Sequence, residues 1–122
     1  MFQSLMRLAQ LPGDTRVCCA HEYTEDNLRF AWFVEPNNDA LAERIRDVWT
    51  RRARGECTVP STIALEQATN PFLRPGSPTI LQRLIEESGP QLEGDWTAIF
   101  TATRQLKNDK TYRERGDEAL PL

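Results

Sequence analysis

Only one stretch of this chain, residues 15–20 (Thr-Arg-Val-Cys-Cys-Ala), reads as a β-strand. A single strand cannot satisfy the hydrogen bonds of its own two edges. The other apolar patterns have the helical period, so the chain is expected to be mainly α, with about five or six helices. The lone strand then looks cut from a larger sheet whose partner strands are not among these 122 residues. Its Val17-Cys18-Cys19-Ala20 core is apolar throughout, which predicts burial on both faces. The strand ends in His21-Glu22-Tyr23-Thr24. A strand end leading into a helix is where α/β proteins place reactive groups, because the backbone is rigid there and the side chain faces a crevice. His21 is the only histidine. By itself, a lone histidine at a turn is more often an ordinary polar residue than a ligand.

The helical stripes follow in order. Phe2, Leu5, Met6 and Ala9 fall at i, i+3, i+4 and i+7, an amphipathic opening helix that Pro12-Gly13-Asp14 stops. After the strand, Thr24 is placed to cap a helix. Glu25 and Asp26 suit its positive end, and Phe30, Phe33 and Val34 form its inner face until Pro36. Asn37-Asn38-Asp39 opens the next helix, with Leu41, Ile45, Val48 and Trp49 as its core stripe. Arg44, Arg46, Arg51, Arg52 and Arg54 on its other side read as a solvated helix C-terminus closed by Gly55. Thr58-Val59-Pro60 is extended. Ser61 or Thr62 then caps a short helix carrying Ile63, Ala64 and Leu65, which Asn70-Pro71 breaks; Phe72 and Leu73 are expected to plug the core. Ser77 and Pro78 start a helix with Ile80, Leu81, Leu84 and Ile85 inward and Gly89-Pro90 at its end. Asp95 caps the last helix, with Trp96, Ile99, Phe100 and Thr103 facing inward, and beyond Lys110 the mixed polar sequence predicts a frayed tail.

Composition narrows the function. With 15 basic against 18 acidic residues, a net charge of −3, the chain offers no general field for nucleic acid or an anionic membrane. The one aromatic among the arginines of the third helical stripe, Trp49, belongs to its core face rather than to the basic side, which also argues against nucleic acid. No apolar run is long enough to span a bilayer, and the first residues lack the features of a signal peptide, so a cytoplasmic location is the default. Cys18, Cys19 and Cys57 contain no Cys-x-x-Cys pair, so a zinc site made from them with His21 is a weak reading beside buried, reduced thiols. Arg104 and Lys107 stand at i and i+3, where two like charges repel and an anion between them is favoured. Alone, that pair reads as a solvated basic face at a helix C-terminus.

Several segments occur together in one order: His21-Glu22-Tyr23-Thr24, Asn27-Leu28-Arg29-Phe30-Ala31, Val34-Glu35-Pro36, Val59-Pro60-Ser61-Thr62 and Thr69-Asn70-Pro71-Phe72-Leu73-Arg74. The series resembles glyoxalase II, the hydroxyacylglutathione hydrolases, from about residue 4 to residue 108. The resemblance covers the later part of such an enzyme. It implies that residues 1–23 are the truncated end of a metallo-β-lactamase-like α/β domain, 24–110 a C-terminal helical substrate-binding domain, and 111–122 a tail. It implies hydrolysis of the thioester S-D-lactoylglutathione to D-lactate and glutathione, a step of methylglyoxal detoxification, at a binuclear zinc or iron centre. His21 matches the family's last metal-ligating histidine. Tyr23 matches its glutathione-contacting tyrosine. Arg104 and Lys107 match its Arg-x-x-Lys, which holds the glycine carboxylate of glutathione, with Asn108 where the family has Asp. The family's other ligands lie in a Thr-His-x-His-x-Asp-His stretch, a further histidine and a bridging aspartate, and one histidine cannot supply them. Gly13-Asp14-Thr15 does not match the bridging segment. This chain alone is therefore expected to be inactive and to need a preceding metallo-β-lactamase-like half. The alternative is a non-catalytic, free-standing helical interaction module from a truncated gene.

Overall fold

The computed structural model describes residues 1–89 and 92–122. In chain order its elements are α1 (Phe2–Ala9), β1 (Arg16–Val17), α2 (Thr24–Val34), α3 (Asp39–Ala53), β2 (Ser61–Thr62), α4 (Ile63–Thr69), a 3-10 turn at Pro71–Leu73, α5 (Pro78–Ser88), α6 (Trp96–Asp109), and 3-10 turns at Thr111–Glu114 and Asp117–Ala119. The mainly helical expectation is met.

α2 is the axis because it is apolar on two sides. Phe30, Phe33 and Val34 enter a core with Ile80, Leu84, Ile99 and Leu106 of α5 and α6. Leu28 and Ala31, which the single predicted stripe left out, enter a second core with Leu41, Ile45 and Val48 of α3. A helix apolar on both sides belongs between layers rather than on the surface. Asn38, Thr62, Ser77 and Asp95 each accept a backbone N–H of the first helical turn, as their residue types predict. α3 ends with Gly55 N–H donating to the Arg52 carbonyl and Glu56 N–H to the Arg51 carbonyl. This Schellman closure needs the positive φ of 74° that Gly55 takes. Gly89 caps α5; Pro90, its expected partner, lies outside the described residues.

Several expectations need correction. The strand is two residues long and is not alone: Arg16 pairs with Thr62 and Val17 with Ser61, antiparallel. Cys18 and Cys19 lie beyond that ladder, and they and Cys57 are exposed rather than buried. Residues 18–20 are all exposed, so the expected burial on both faces is not found. Thr24 does not cap α2; its hydroxyl donates to Glu22 at 2.8 Å and Tyr23 takes the N-cap position. Trp96 is 53% exposed, its ring lying against Gly76. The basic side of α3 is only partly solvated. Arg44 is largely buried and donates to Thr69, Ser61 and Glu66, and Arg52 reaches Glu25.

The tail does not fray either. Tyr112 is buried, Arg29 grips Asp117 with two hydrogen bonds, the Trp32 indole donates to the Ala119 carbonyl, and Arg46 donates to that of Pro121. The mixed charges that suggested solvation find partners on α2 and α3.

α1 packs by the predicted stripe, but only halfway: Phe2, Leu5, Met6 and Ala9 are half-buried. Phe2 meets Phe100 at 5.4 Å, and Gln67 donates to the Ala9 carbonyl. Gly13 lets the following turn reach α4, since a Cβ there would stand 3.2 Å from that of Ala64. No described helix is long and apolar enough to cross a membrane.

Candidate functional site

A cleft of about 590 Å³ is lined by α1, β1 and the loop after it, α2, the segment from Thr58 through α4 to the Pro71–Leu73 turn, and the C-terminal half of α6. Its lining is largely apolar, with Leu5, Leu8, Leu11, Leu28 and Phe72 among the contributors. His21, Tyr23, Asn27, Arg104 and Lys107 line the same cleft. A largely apolar cavity with a few convergent polar groups is the usual form of a small-molecule site. A second depression, about 260 Å³ between the end of α2 and α5, gathers no comparable set of groups.

The loop carrying His21 is tied down by its neighbour. Glu22 accepts from the Thr58 N–H at 2.6 Å, the Thr58 hydroxyl at 2.7 Å and the Thr24 hydroxyl at 2.8 Å. Burial alone raises the Glu22 carboxyl, but these bonds outweigh it and hold the group below its usual range. Anchored so, His21 and Tyr23 stand exposed with ring centroids 5.3 Å apart and planes at 38°. Tyr23 is at the N-cap of α2, and its carbonyl accepts from the Asn27 N–H, which places Asn27 one turn further along the cleft.

Lys107 enters from α6. Its ammonium donates to the Asn27 side-chain oxygen at 2.7 Å, lies 3.8 Å from Asp26, and sits 5.3 Å from the ring centroids of both Phe30 and Tyr112. Burial is the main influence on it. Together with the positive charges of Arg113 and Arg104 it outweighs the attraction of Asp26, so the ammonium loses its proton more readily than an ordinary lysine. Arg104, one turn earlier, is exposed and has no hydrogen-bond or ion-pair partner among the described residues. The arrangement leaves one unpaired guanidinium beside a half-sequestered ammonium, a geometry suited to a carboxylate.

Thus the four sequence-predicted residues His21, Tyr23, Arg104 and Lys107 line one cleft, although the chain separates them by as much as the whole helical body. The comparisons with known proteins bear on the same region. The family profile described as hydroxyacylglutathione hydrolase C-terminus matches residues 22–110. The chain belongs to this family. Curated relatives named hydroxyacylglutathione hydrolase include that of Pseudomonas fluorescens (strain SBW25), 55% identical over 108 residues, covering 88% of this chain and 42% of the relative. That of Shewanella sp. (strain ANA-3) is 49% identical over 110 residues, covering 88% and 41%. That of Nitrosomonas europaea is 44% identical over 122 residues, covering 100% and 45%. The chain therefore spans less than half the length of the curated relatives it matches. Membership in the family does not favour the interaction-module alternative.

Sequence reasoning missed Asn27, Asp26 and the apolar wall. Asn27 was legible in principle, because it lies at i+4 from Tyr23 and so shares its helix face. In the sequence Asp26 suits only the positive start of a helix. Its partners Tyr112 and Arg113 are more than 80 residues away, and no local pattern announces them.

Proposed function

We propose that this chain is the glutathione-binding C-terminal portion of a hydroxyacylglutathione hydrolase that cleaves the thioester S-D-lactoylglutathione to D-lactate and glutathione. The observation that supports it is the single cleft shared by His21, Tyr23, Arg104 and Lys107. In this reading Arg104 and Lys107 hold the terminal carboxylate of the glutathione moiety, and Tyr23 contacts the same ligand near the rim. Fixing one end of a flexible substrate at two cations directs its thioester toward His21 and reduces the entropy lost at reaction. Residues 1–23 then belong to the end of a metallo-β-lactamase-like domain and 24–110 to the substrate-binding domain.

A binuclear zinc or iron centre does not fit this chain's residues alone. His21 is the one histidine, and no three His, Cys, Asp or Glu side chains among the described residues stand where they can hold an ion. We assign His21 the role of one ligand, with the others furnished by a preceding half.

The test is a chimera in which this chain replaces the matching portion of the Pseudomonas fluorescens relative. We expect S-D-lactoylglutathione hydrolysis to persist, and Lys107→Ala in the chimera to raise KM. A folded, metal-loaded chimera without activity, or one indifferent to Lys107→Ala, overturns the proposal.

A further inference from the structure

We propose that Arg113, in the tail beyond the family-matched residues 22–110, is a positioning residue for the basic clamp: by occupying Asp26 it keeps Lys107 available to an incoming carboxylate. This rests on the reading that the cleft takes the glutathione carboxylate.

Asp26 is the hub. Its Oδ1 accepts from Arg113 Nε at 3.1 Å, and its Oδ2 accepts from Arg113 Nη2 at 2.9 Å and from the Tyr112 hydroxyl at 2.7 Å. The Lys107 ammonium stands 3.8 Å from the same Oδ2 but directs its short hydrogen bond to Asn27 instead. A carboxylate without other partners would close on that ammonium, because the two lie within direct Coulomb range and Lys107 is mostly withdrawn from water. Arg113 and Tyr112 prevent this by taking up the carboxylate's acceptor positions.

Charge balance gives the same answer. The groups facing Lys107 are Asp26 of α2, Arg104 of its own helix, and Arg113 and Tyr112 of the tail. With Arg113 present, one negative charge stands among three positive ones, and an anion is attracted. Without it, Asp26 neutralises one of the two remaining cations and the pull on a ligand carboxylate falls. Tyr112, buried with its ring against Lys107 and Phe30, fixes the tail so that the neighbouring guanidinium meets Asp26. Arg113 itself touches no ligand in this scheme.

The experiment uses the full 122-residue chain. Glutathione binding is measured by calorimetry for the parent, Arg113→Ala, Arg113→Gln and the double variant Arg113→Ala/Asp26→Asn. Lys107 is titrated in each by NMR of its side chain. We expect both single variants to weaken binding roughly three- to tenfold, and Asp26→Asn to restore it to within about twofold of the parent. A merely structural tail contact is not repaired by removing the charge of Asp26. We also expect Lys107 to titrate at higher pH in Arg113→Ala, with the shift reversed in the double variant. An unchanged Lys107 titration, or a binding loss that Asp26→Asn does not restore, overturns the inference. If the parent chain fails to bind glutathione, the clamp reading falls, and the Lys107 titration still decides whether Arg113 governs Asp26. Arg113→Gln covers the case in which the alanine variant loses the fold.

Discussion

Arg74 meets Glu35 edge to edge, its Nε donating to one carboxylate oxygen at 2.9 Å and its Nη2 to the other at 2.7 Å. Ser77 and Asn38 donate to the same carboxylate, so the end of α2, the start of α3 and the start of α5 converge on one buried acid. Burial alone would raise Glu35; the donors and the Arg74 charge outweigh it and hold the carboxyl below its usual range. Its folded pKa is thus lower than its unfolded one. The stabilisation is present above the unfolded value and is lost as pH falls through the folded value. Urea titrations should show stability dropping on the acid side of about pH 4. Glu35→Gln should cost about 2–4 kcal/mol at neutral pH and flatten that acid dependence. An unchanged acid slope in the variant would remove Glu35 as its source.

Arg104 and Arg51 differ in surroundings though both are exposed arginines. Arg104 lines the cleft, whereas Arg51 pairs with Asp47 one turn away on the outer face of α3. Arg104→Ala should weaken glutathione binding by roughly ten- to a hundredfold, the loss of one charged hydrogen bond, and Arg51→Ala should leave it unchanged. Equal affinities for the two variants would return Arg104 to the status of a solvated charge.

The isolated chain should show negligible thioesterase activity, and stoichiometric zinc should not restore it, because a lone histidine cannot hold two metal ions. Turnover of S-D-lactoylglutathione by the purified, metal-supplemented chain would contradict this.

Core position and surface position should separate cleanly in stability. Ile45 is fully buried between α2 and α3, and Ile45→Ala should cost about 2–5 kcal/mol. Leu8 is 52% exposed, and Leu8→Ala should cost less than about 1 kcal/mol. Chemical denaturation of both variants checks the assignment; comparable losses would mean α1 is packed more deeply than described.

Local chemistry made most of the helical frame readable. Caps such as Asn38, Ser77 and Asp95 act within one turn, and stripes such as Leu41, Ile45 and Val48 lie on one helix face, so both appear in a short window of sequence. Thr24 looked like the same kind of cap, but Glu22 and Thr58 offered its hydroxyl better partners, and Thr58 is 34 residues away. Cys18 and Cys19 looked buried because apolar composition reports what a segment can bury, not whether anything covers it. At the cleft, residue type and resemblance brought out His21, Tyr23, Arg104 and Lys107. The partners that orient Lys107 depend on where α2, α6 and the tail meet, which periodicity does not encode.

The docked tail also has a kinetic meaning. Bonds from Asp26, Arg29, Trp32 and Arg46 to residues 112–121 span 75 to 88 positions, and they rest on a surface that the α2–α3 and α2–α6 packing has to build first. Closing such a long loop carries an entropic cost that only an already assembled surface can offset. The helices are therefore expected to associate first and the tail to latch onto α2 and α3 as a separate, later event. Lys107 acquires its final surroundings only when that latch has closed.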